Sequence, residues 1–266
     1  EMLKNLTLNI DNYFELIKHC NDKNIEFLIT AFDFESLLIS KKFKLKRNKI
    51  PSGEITNLPF LRKVAKIKKP IILSTGMSSL NEVKTALNEI NKVGLNNNEI
   101  TVLHCTSEYP APISSVNLKA MNTIKKSFGV EVGYSDHTDG IDIAIAAVAL
   151  GGTIIEKHIT LNRNLSGPDH KASIEPYLFA KMVESIRRIE ISLGDGNKIP
   201  SQQELANRKI VRKSIIAKEE INIGDIFNEN NICTKRPGEG ISPIHWDKLI
   251  GSKSKYKFNK NDLIKW

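Results

Sequence analysis

From residue 27 to residue 193, segments with a strand-like apolar pattern alternate with segments whose apolar residues have helical spacing. Short apolar runs, rich in β-branched residues, occupy 27–30, 48–51, 71–74, 101–104, 130–134 and 153–157. Their length and composition predict strands that are buried on both faces of a sheet. Amphipathic stretches with helical spacing occupy 33–41, 57–67, 78–92, 115–127, 140–150 and 175–193, and a further one, 11–22, precedes the first apolar run. This alternation of strands and helices predicts an α/β fold built on a parallel sheet.

Polar and charged residues cluster directly after nearly every predicted strand. In a (β/α)8 TIM barrel the active site is built at that end of the strands. Six strand–helix units can be counted, and a helix-like stretch precedes the first of them. We therefore interpret residues 1–193 as a TIM barrel whose first two strands are missing from this chain.

Residues 194–266 have a different composition and a different apolar pattern. Residues 194–207 are polar and contain Gly and Pro, which predicts a linker. Beyond it, VRKSIIAK and ICTKRPG are short β-like pieces, and NIGD and PGEG are turn signals. Residues 208–266 are therefore predicted to form a small, β-rich second domain.

Composition narrows the class of protein. Apolar residues make up 40% and charged residues 26%, as in ordinary soluble domains, and no apolar run approaches the roughly 18–20 residues that cross a bilayer. The three cysteines are far apart, which favours reduced thiols and a cytoplasmic protein. The net charge of +9 comes with no nucleic-acid motif and 6% aromatic residues. We expect no nucleic-acid or membrane partner, and a small phosphorylated substrate suits the positive charge.

Two histidines stand at the ends of successive predicted strands. His137 closes GYSDH and His158 closes IIEKH, so their imidazoles can converge on one ion. Imidazole with oxygen ligands suits a divalent metal such as Mn²⁺ and tolerates Mg²⁺. Spacing alone leaves the pair open between a metal site and two hydrogen-bonded structural residues. Asp136 is expected either to orient an imidazole or to cap a helix.

Hydroxyl groups and one lysine recur at the same predicted barrel end. Such a ring near helix N-termini can hold a phosphate, although each serine taken singly is typical of a turn or cap. The members of this ring are Lys49, Ser52, Ser74, Ser107 and Ser135.

Two carboxylates and a tyrosine lie in neighbouring loops. Glu54 in SGE and Asp169 in GPDH can bind sugar hydroxyls or move a proton, and both could equally be exposed loop acids. Tyr109 in EYP is a rim aromatic by the simplest reading.

Several motifs, in this order, resemble the N-acetylneuraminate (sialic acid) synthase family, which includes synthases for legionaminate and pseudaminate. They are NKIPSGEITNLPFLRK, ILSTGM, HCTSEYPAP, VGYSDHT, EKHIT and SGPDHKASIEP. Downstream, RKSIIAK, TKRPGEGISP and LIG resemble the family's antifreeze-like (SAF, β-clip) C-terminal domain. The resemblance implies a cytoplasmic transferase that condenses phosphoenolpyruvate with an open-chain N-acylated aminohexose, typically N-acetylmannosamine, releasing phosphate.

The resemblance also implies roles for individual residues. His137 and His158 would ligate Mn²⁺ or Mg²⁺, and the lysine–serine ring would hold phosphoenolpyruvate. Glu54, Tyr109 and Asp169 match positions near the sugar, with Glu54 expected to manage a proton. Arg236 in KRPG matches an arginine that enters the partner's site in a domain-swapped homodimer.

Some positions depart from the family pattern. Ser107 often corresponds to asparagine or another small polar residue. The family's N-terminal glutamate, lysine and glutamine have no counterparts in the 266 residues, which leads us to expect negligible synthase activity from this polypeptide alone.

Three other functions remain open from the sequence. The acceptor could be a 2,4-diacetamido-trideoxy sugar, which would make the protein an N,N'-diacetyllegionaminate synthase. A non-catalytic carbohydrate- or ice-binding module would not require metal. A metal-dependent aldolase on the same barrel would use pyruvate and release no phosphate.

Overall fold

The computed structural model describes residues 8–266, so residues 1–7 of the predicted first domain lie outside the described part. The chain divides into two compact units, one ending at Gly194 and the other running from Asp195 to Trp266. Each unit has its own hydrophobic core.

Helices and parallel strands alternate in the first unit. Its helices are α1 Ile10–Asp22, α2 Phe34–Ser40, α3 Leu58–Ala65, α4 Leu80–Lys92, α5 Lys119–Phe128, α6 Asp142–Ala149 and α7 Pro176–Leu193. Its strands are β1 Asn48–Ile50, β2 Ile71–Ser74, β3 Ile100–Cys105, β4 Glu131–Asp136 and β5 Ile155–Lys157. The predicted α/β class is confirmed.

The sheet is curled. Its five parallel strands follow chain order, each pairing with the next. In a flat sheet with a strand spacing of about 4.8 Å, β1 and β5 would lie roughly 19 Å apart. Lys49 Nζ on β1 nevertheless lies 3.2 Å from Glu156 Oε2 on β5. The first and last of these strands therefore face each other across the interior, and their carboxyl ends are brought close together.

Local sequence explains why the helices pack as they do. In α4 the apolar positions Val83, Leu87 and Ile90 follow the helical spacing and are buried. Ser79 caps this helix: its side chain accepts from the backbone N–H of Glu82, and the Glu82 carboxylate accepts from the backbone N–H of Ser79. The predicted start at residue 78 lies two residues before Leu80, the first residue of the helix.

The first predicted strand, 27–30, is absent as a strand. Only Thr30 forms an isolated parallel bridge, with Lys49 at the edge of the sheet. An extended segment becomes a strand when a neighbour pairs along its length, and within residues 8–266 this segment has such a neighbour at one position only. The apolar run correctly indicated an extended segment but not its pairing.

The second unit is small and has few regular elements. They are α8 Gln202–Val211, β6 Ser214–Ala217, β7 Ile232–Lys235 and α9 Trp246–Leu249. Strands β6 and β7 are antiparallel and lie in the two β-like pieces read from the sequence. Helix α8 occupies the end of the predicted 194–207 linker, because Ser201 and Glu204 form a capping box that starts a helix there.

Candidate active site at the carboxyl ends of the strands

One cavity of about 500 Å³ gathers most of the predicted site residues. Its walls come from the ends of β1 to β5 and from the loops that follow them. The predicted residues that line it are Lys49, Ser52, Ser74, Ser107, Tyr109, Ser135, His137, His158 and Asp169. The tertiary structure thus brings together residues that are up to 120 positions apart in the chain.

A lysine and several hydroxyls form one wall of the cavity. Lys49 Nζ, almost fully buried, donates to Ser74 Oγ over 2.8 Å. The backbone N–H of Gly76 donates to Ser52 Oγ over 2.9 Å. A cluster of N–H and O–H donors with one cation is suited to bind an oxyanion.

Gly76 allows these hydroxyls to converge. A β-carbon at this position would lie 2.1 Å from Ser107 Oγ and 3.0 Å from Ser52 Oγ. The first distance is too short for a real β-carbon contact and the second is tighter than most, so a side chain at residue 76 would displace Ser107 Oγ and crowd Ser52 Oγ. Gly76 was not singled out from the sequence, because its importance depends on space that only the packed strands define.

Three aromatic rings line another part of the cavity. The centroid of the His137 ring lies 5.3 Å from that of His158 and 4.2 Å from that of Tyr109. His137 Nδ1 is 2.7 Å from the carbonyl oxygen of Thr106, which can only accept, so Nδ1 carries the proton and Nε2 the lone pair. Burial lowers the pKa of His137, which favours the neutral imidazole.

The histidine pair has the donor chemistry for a divalent cation. His137 Nε2 lies 3.4 Å from Ser135 Oγ, whose proton is donated to Glu156, so the lone pair of Nε2 is available to a metal. His158 Nδ1 lies 3.9 Å from the Asp169 carboxylate, which can influence its orientation. Within residues 8–266 no three His, Cys, Asp or Glu side chains are arranged as a metal-binding group. The pair therefore fits a cation that takes two protein nitrogens and completes its coordination with oxygen ligands.

A buried ion pair lies behind the two histidines. Lys157 Nζ is 2.8 Å from Asp136 Oδ2, and the two side chains are 1% and 0% exposed. Asp136 Oδ1 also accepts from the backbone N–H and the hydroxyl of Thr138. Asp136 neither orients an imidazole nor caps a helix, in contrast to both expectations, because the Thr106 carbonyl is the partner of His137 and Asp136 pairs with Lys157. The ion pair joins β4 and β5 immediately before His137 and His158.

Two predicted site residues, Glu54 and Arg236, do not line this cavity. Glu54 lies in a 3₁₀ turn, Ser52–Glu54, and its Oε2 accepts from Asn57 Nδ2 over 2.6 Å. Arg236 belongs to the second unit, where its Nε donates to the carbonyl oxygen of Val211 over 2.9 Å.

Glu156 lines the cavity and was overlooked in the sequence. Its Oε1 accepts from Ser135 Oγ over 2.7 Å. A signal was present, since residues two apart in a strand share a face and Glu156 precedes His158 by two. The same spacing of two relates Ser135 on β4 to His137, the residue directly after that strand.

Two known proteins are similar to this chain over its whole length. An N,N'-diacetyllegionaminic acid synthase from Campylobacter jejuni is 50% identical over 265 residues, which is 100% of this chain and 79% of that protein. An N,N'-diacetyllegionaminic acid synthase from Legionella pneumophila is 41% identical and covers 100% of this chain and 75% of its own length.

A solved structure is also similar to this chain. N-acetylneuraminic acid (sialic acid) synthetase from Leptospira borgpetersenii, in complex with citrate, superposes with a TM-score of 0.72 at 35% identity, covering 77% of this chain and 71% of that one. Among residues 8–266, no helix is long and apolar enough to cross a membrane. Residues 1–198 match the NeuB family and residues 212–266 match the SAF domain. The chain therefore belongs to the NeuB family and carries a SAF domain after its α/β unit.

Proposed function

We propose that this protein condenses phosphoenolpyruvate with an open-chain N-acylated amino sugar to give a nonulosonic acid and phosphate. Family membership establishes an enzyme of the nonulosonic acid synthase type and removes the non-catalytic alternative. The observation that supports this reaction is that one cavity contains both an oxyanion-binding set of hydroxyls with a lysine and a pair of imidazoles. These two sets of groups suit the two substrates, one phosphorylated and the other an aldehyde.

The lysine–hydroxyl wall holds phosphoenolpyruvate in this proposal. Lys49 with Ser52, Ser74, Ser107 and Ser135 binds its phosphate and carboxylate through charge-assisted hydrogen bonds. Two small substrates fixed in one cavity react as if at high local concentration. Tyr109, whose pKa is raised by burial, remains a phenol that can donate to a sugar oxygen, and Asp169 can accept from a sugar hydroxyl.

Besides the two substrates, the reaction consumes one water molecule. C3 of phosphoenolpyruvate attacks the aldehyde carbon to form a C–C bond, and the aldehyde oxygen becomes a hydroxyl by taking a proton. Water adds to C2, losing its proton, and the tetrahedral product expels phosphate by C–O cleavage to leave a 2-keto acid. His137 and His158 would hold Mn²⁺ or Mg²⁺, and a bound cation would polarise the aldehyde. We give Glu54 no step, because its carboxylate hydrogen-bonds to Asn57.

For the acceptor we propose a 2,4-diacetamido-trideoxy sugar, rather than the N-acetylmannosamine first expected. The support is comparative. The relatives at 50% and 41% identity are N,N'-diacetyllegionaminic acid synthases, whereas the sialic acid synthetase of known structure is 35% identical. The product would then be N,N'-diacetyllegionaminate.

The acceptor proposal is tested by a direct comparison of sugars. The protein expressed from its complete coding sequence is assayed with phosphoenolpyruvate and Mn²⁺, and phosphate release is followed. We expect kcat/KM to be at least about tenfold higher with the diacetamido sugar, a difference of about 1.4 kcal/mol in transition-state binding. Equal or better turnover of N-acetylmannosamine would restore the first reading, and use of pyruvate without phosphate release would indicate an aldolase.

Gly76→Ala should weaken phosphoenolpyruvate binding specifically. The new β-carbon would push Ser107 Oγ out of the oxyanion wall and crowd Ser52 Oγ. Overpacking of this kind costs about 1–3 kcal/mol, so we expect KM for phosphoenolpyruvate to rise by roughly 5- to 150-fold. Ser127→Ala on α5 is the control, because Ser127 is exposed and does not line the cavity, and its KM should stay near that of the wild type. Equal KM values for the two variants would contradict the assignment of this wall.

Two finer features complete the proposal. We propose that the curled sheet belongs to a closed (β/α)8 barrel, supported by its sequential strand order and by the Lys49–Glu156 contact across its interior. We also propose a homodimer in which Arg236 serves the partner's site, supported by the KRPG motif of the SAF domain. Cytoplasmic location and the choice between Mn²⁺ and Mg²⁺ stay predictions.

A further inference from the structure

The Glu156 carboxylate occupies the middle of the oxyanion wall. Its Oε2 lies 3.2 Å from Lys49 Nζ, and its Oε1 accepts from Ser135 Oγ over 2.7 Å. Lys49 Nζ donates in turn to Ser74 Oγ over 2.8 Å. A phosphate or carboxylate group of a substrate needs these same donors. Glu156 and a substrate anion therefore compete for one cation and one hydroxyl.

The two partners of this ion pair differ in their freedom to move. The Lys49 side chain is 5% exposed, whereas that of Glu156 is 41% exposed. A buried ammonium is strongly destabilised without an anion beside it. A half-exposed carboxylate can rotate towards water at small cost. Exchange of anions at Lys49 therefore requires movement of Glu156 and not of the lysine.

We propose that Glu156 is an exchangeable counter-ion of Lys49 that controls entry and release of the phosphorylated substrate. This inference rests on the proposed function, because it takes Lys49 and Ser135 as phosphate-binding groups. The phosphate group displaces Glu156 as phosphoenolpyruvate binds, since two anions cannot share the site without repulsion. After the reaction, return of the carboxylate to Lys49 competes with the product phosphate and speeds its release. Glu156 thus controls which anion is bound at Lys49, and it does not contact the bonds that form or break in the reaction.

Glu156→Gln tests the idea because it keeps the shape and the acceptor for Ser135 while removing the charge. Binding of inorganic phosphate and of phosphoenolpyruvate is measured by calorimetry on the protein from its complete coding sequence. We expect both dissociation constants to fall at least about tenfold. In steady-state assays, product inhibition by phosphate should strengthen by a similar factor while kcat falls, because phosphate leaves more slowly.

Melting temperatures provide a second test that does not depend on calorimetry or on activity. The variant leaves Lys49 without its anion, so added phosphate should raise its melting temperature more than it raises that of the wild type. Glu108→Gln is the matched control: it removes one exposed carboxylate next to Ser107 and should change phosphate affinity less than twofold.

The outcomes separate this inference from the proposed function. Unchanged or weaker phosphate affinity in Glu156→Gln would overturn the counter-ion role. A loss of kcat with unchanged phosphate inhibition would also overturn it, in favour of a direct chemical role. If the wild-type protein itself bound neither phosphate nor phosphoenolpyruvate, the proposed function would fail first.

Discussion

Replacing His158 by alanine is expected to lower kcat/KM at least about a thousandfold, which corresponds to about 4 kcal/mol of transition-state stabilisation. His158 supplies one of the two imidazoles that we propose as cation ligands, 5.3 Å from the other between ring centroids. With one nitrogen left, a divalent cation should bind weakly and the sugar aldehyde should not be activated. His158 is only half-buried, so the loss of its ring should leave the fold intact.

Two measurements check this expectation. Mn²⁺ affinity is followed by electron paramagnetic resonance titration, and activity is assayed over a range of Mn²⁺ concentrations. His19→Ala is the control, since His19 lies exposed on α1, and its kinetics and metal affinity should equal those of the wild type. Near-normal activity and Mn²⁺ affinity in His158→Ala would contradict the assignment of the histidine pair.

Lys157→Met should destabilise the first unit by about 3–5 kcal/mol, because it leaves the Asp136 carboxylate buried without a cation. The two side chains are 1% and 0% exposed and lie 2.8 Å apart. For a unit of this size the melting temperature should fall by roughly 10 °C. The strand ends that carry His137 and His158 should also shift, so Mn²⁺ affinity should fall together with stability.

The reference for this prediction is an exposed ion pair of the same unit. Lys125 and Glu131 lie 3.9 Å apart with side chains 48% and 50% exposed, and Lys125→Met should cost less than about 1 kcal/mol. The double variant Asp136→Asn/Lys157→Met should recover much of the lost stability, because no unpaired charge then remains and the amide oxygen still accepts from Thr138.

Unfolding of the first unit can be followed separately. Both tryptophans, Trp246 and Trp266, lie in the second unit, so fluorescence reports that unit. Circular dichroism is dominated by the helices of the first unit. If Lys157→Met and Lys125→Met had the same melting temperature by circular dichroism, the buried pair would contribute little to the stability of the first unit.

Local pattern was a good guide where neighbours in the chain decide the structure. Helices α1 to α7 and strands β1 to β5 fall within a few residues of their predicted ranges, because hydrophobic period and capping act over one or two turns. The exceptions have specific causes. The 27–30 run was predicted as a strand without considering its pairing, and the Ser201–Glu204 capping box within the predicted linker was overlooked.

Motifs in the sequence were sufficient to recognise the family and to nominate Lys49, the serines and the two histidines as site residues. Residue type and order carry that information, since particular chemistry requires particular side chains at strand ends. The contacts among these residues depend on the curl of the sheet, which places β1 against β5 and so joins Lys49 to Glu156. The same packing leaves no room for a side chain at Gly76, and it pairs Asp136 with Lys157. Such contacts join residues that are distant in the chain, and they are fixed by the closeness of several strands at once and not by any local pattern.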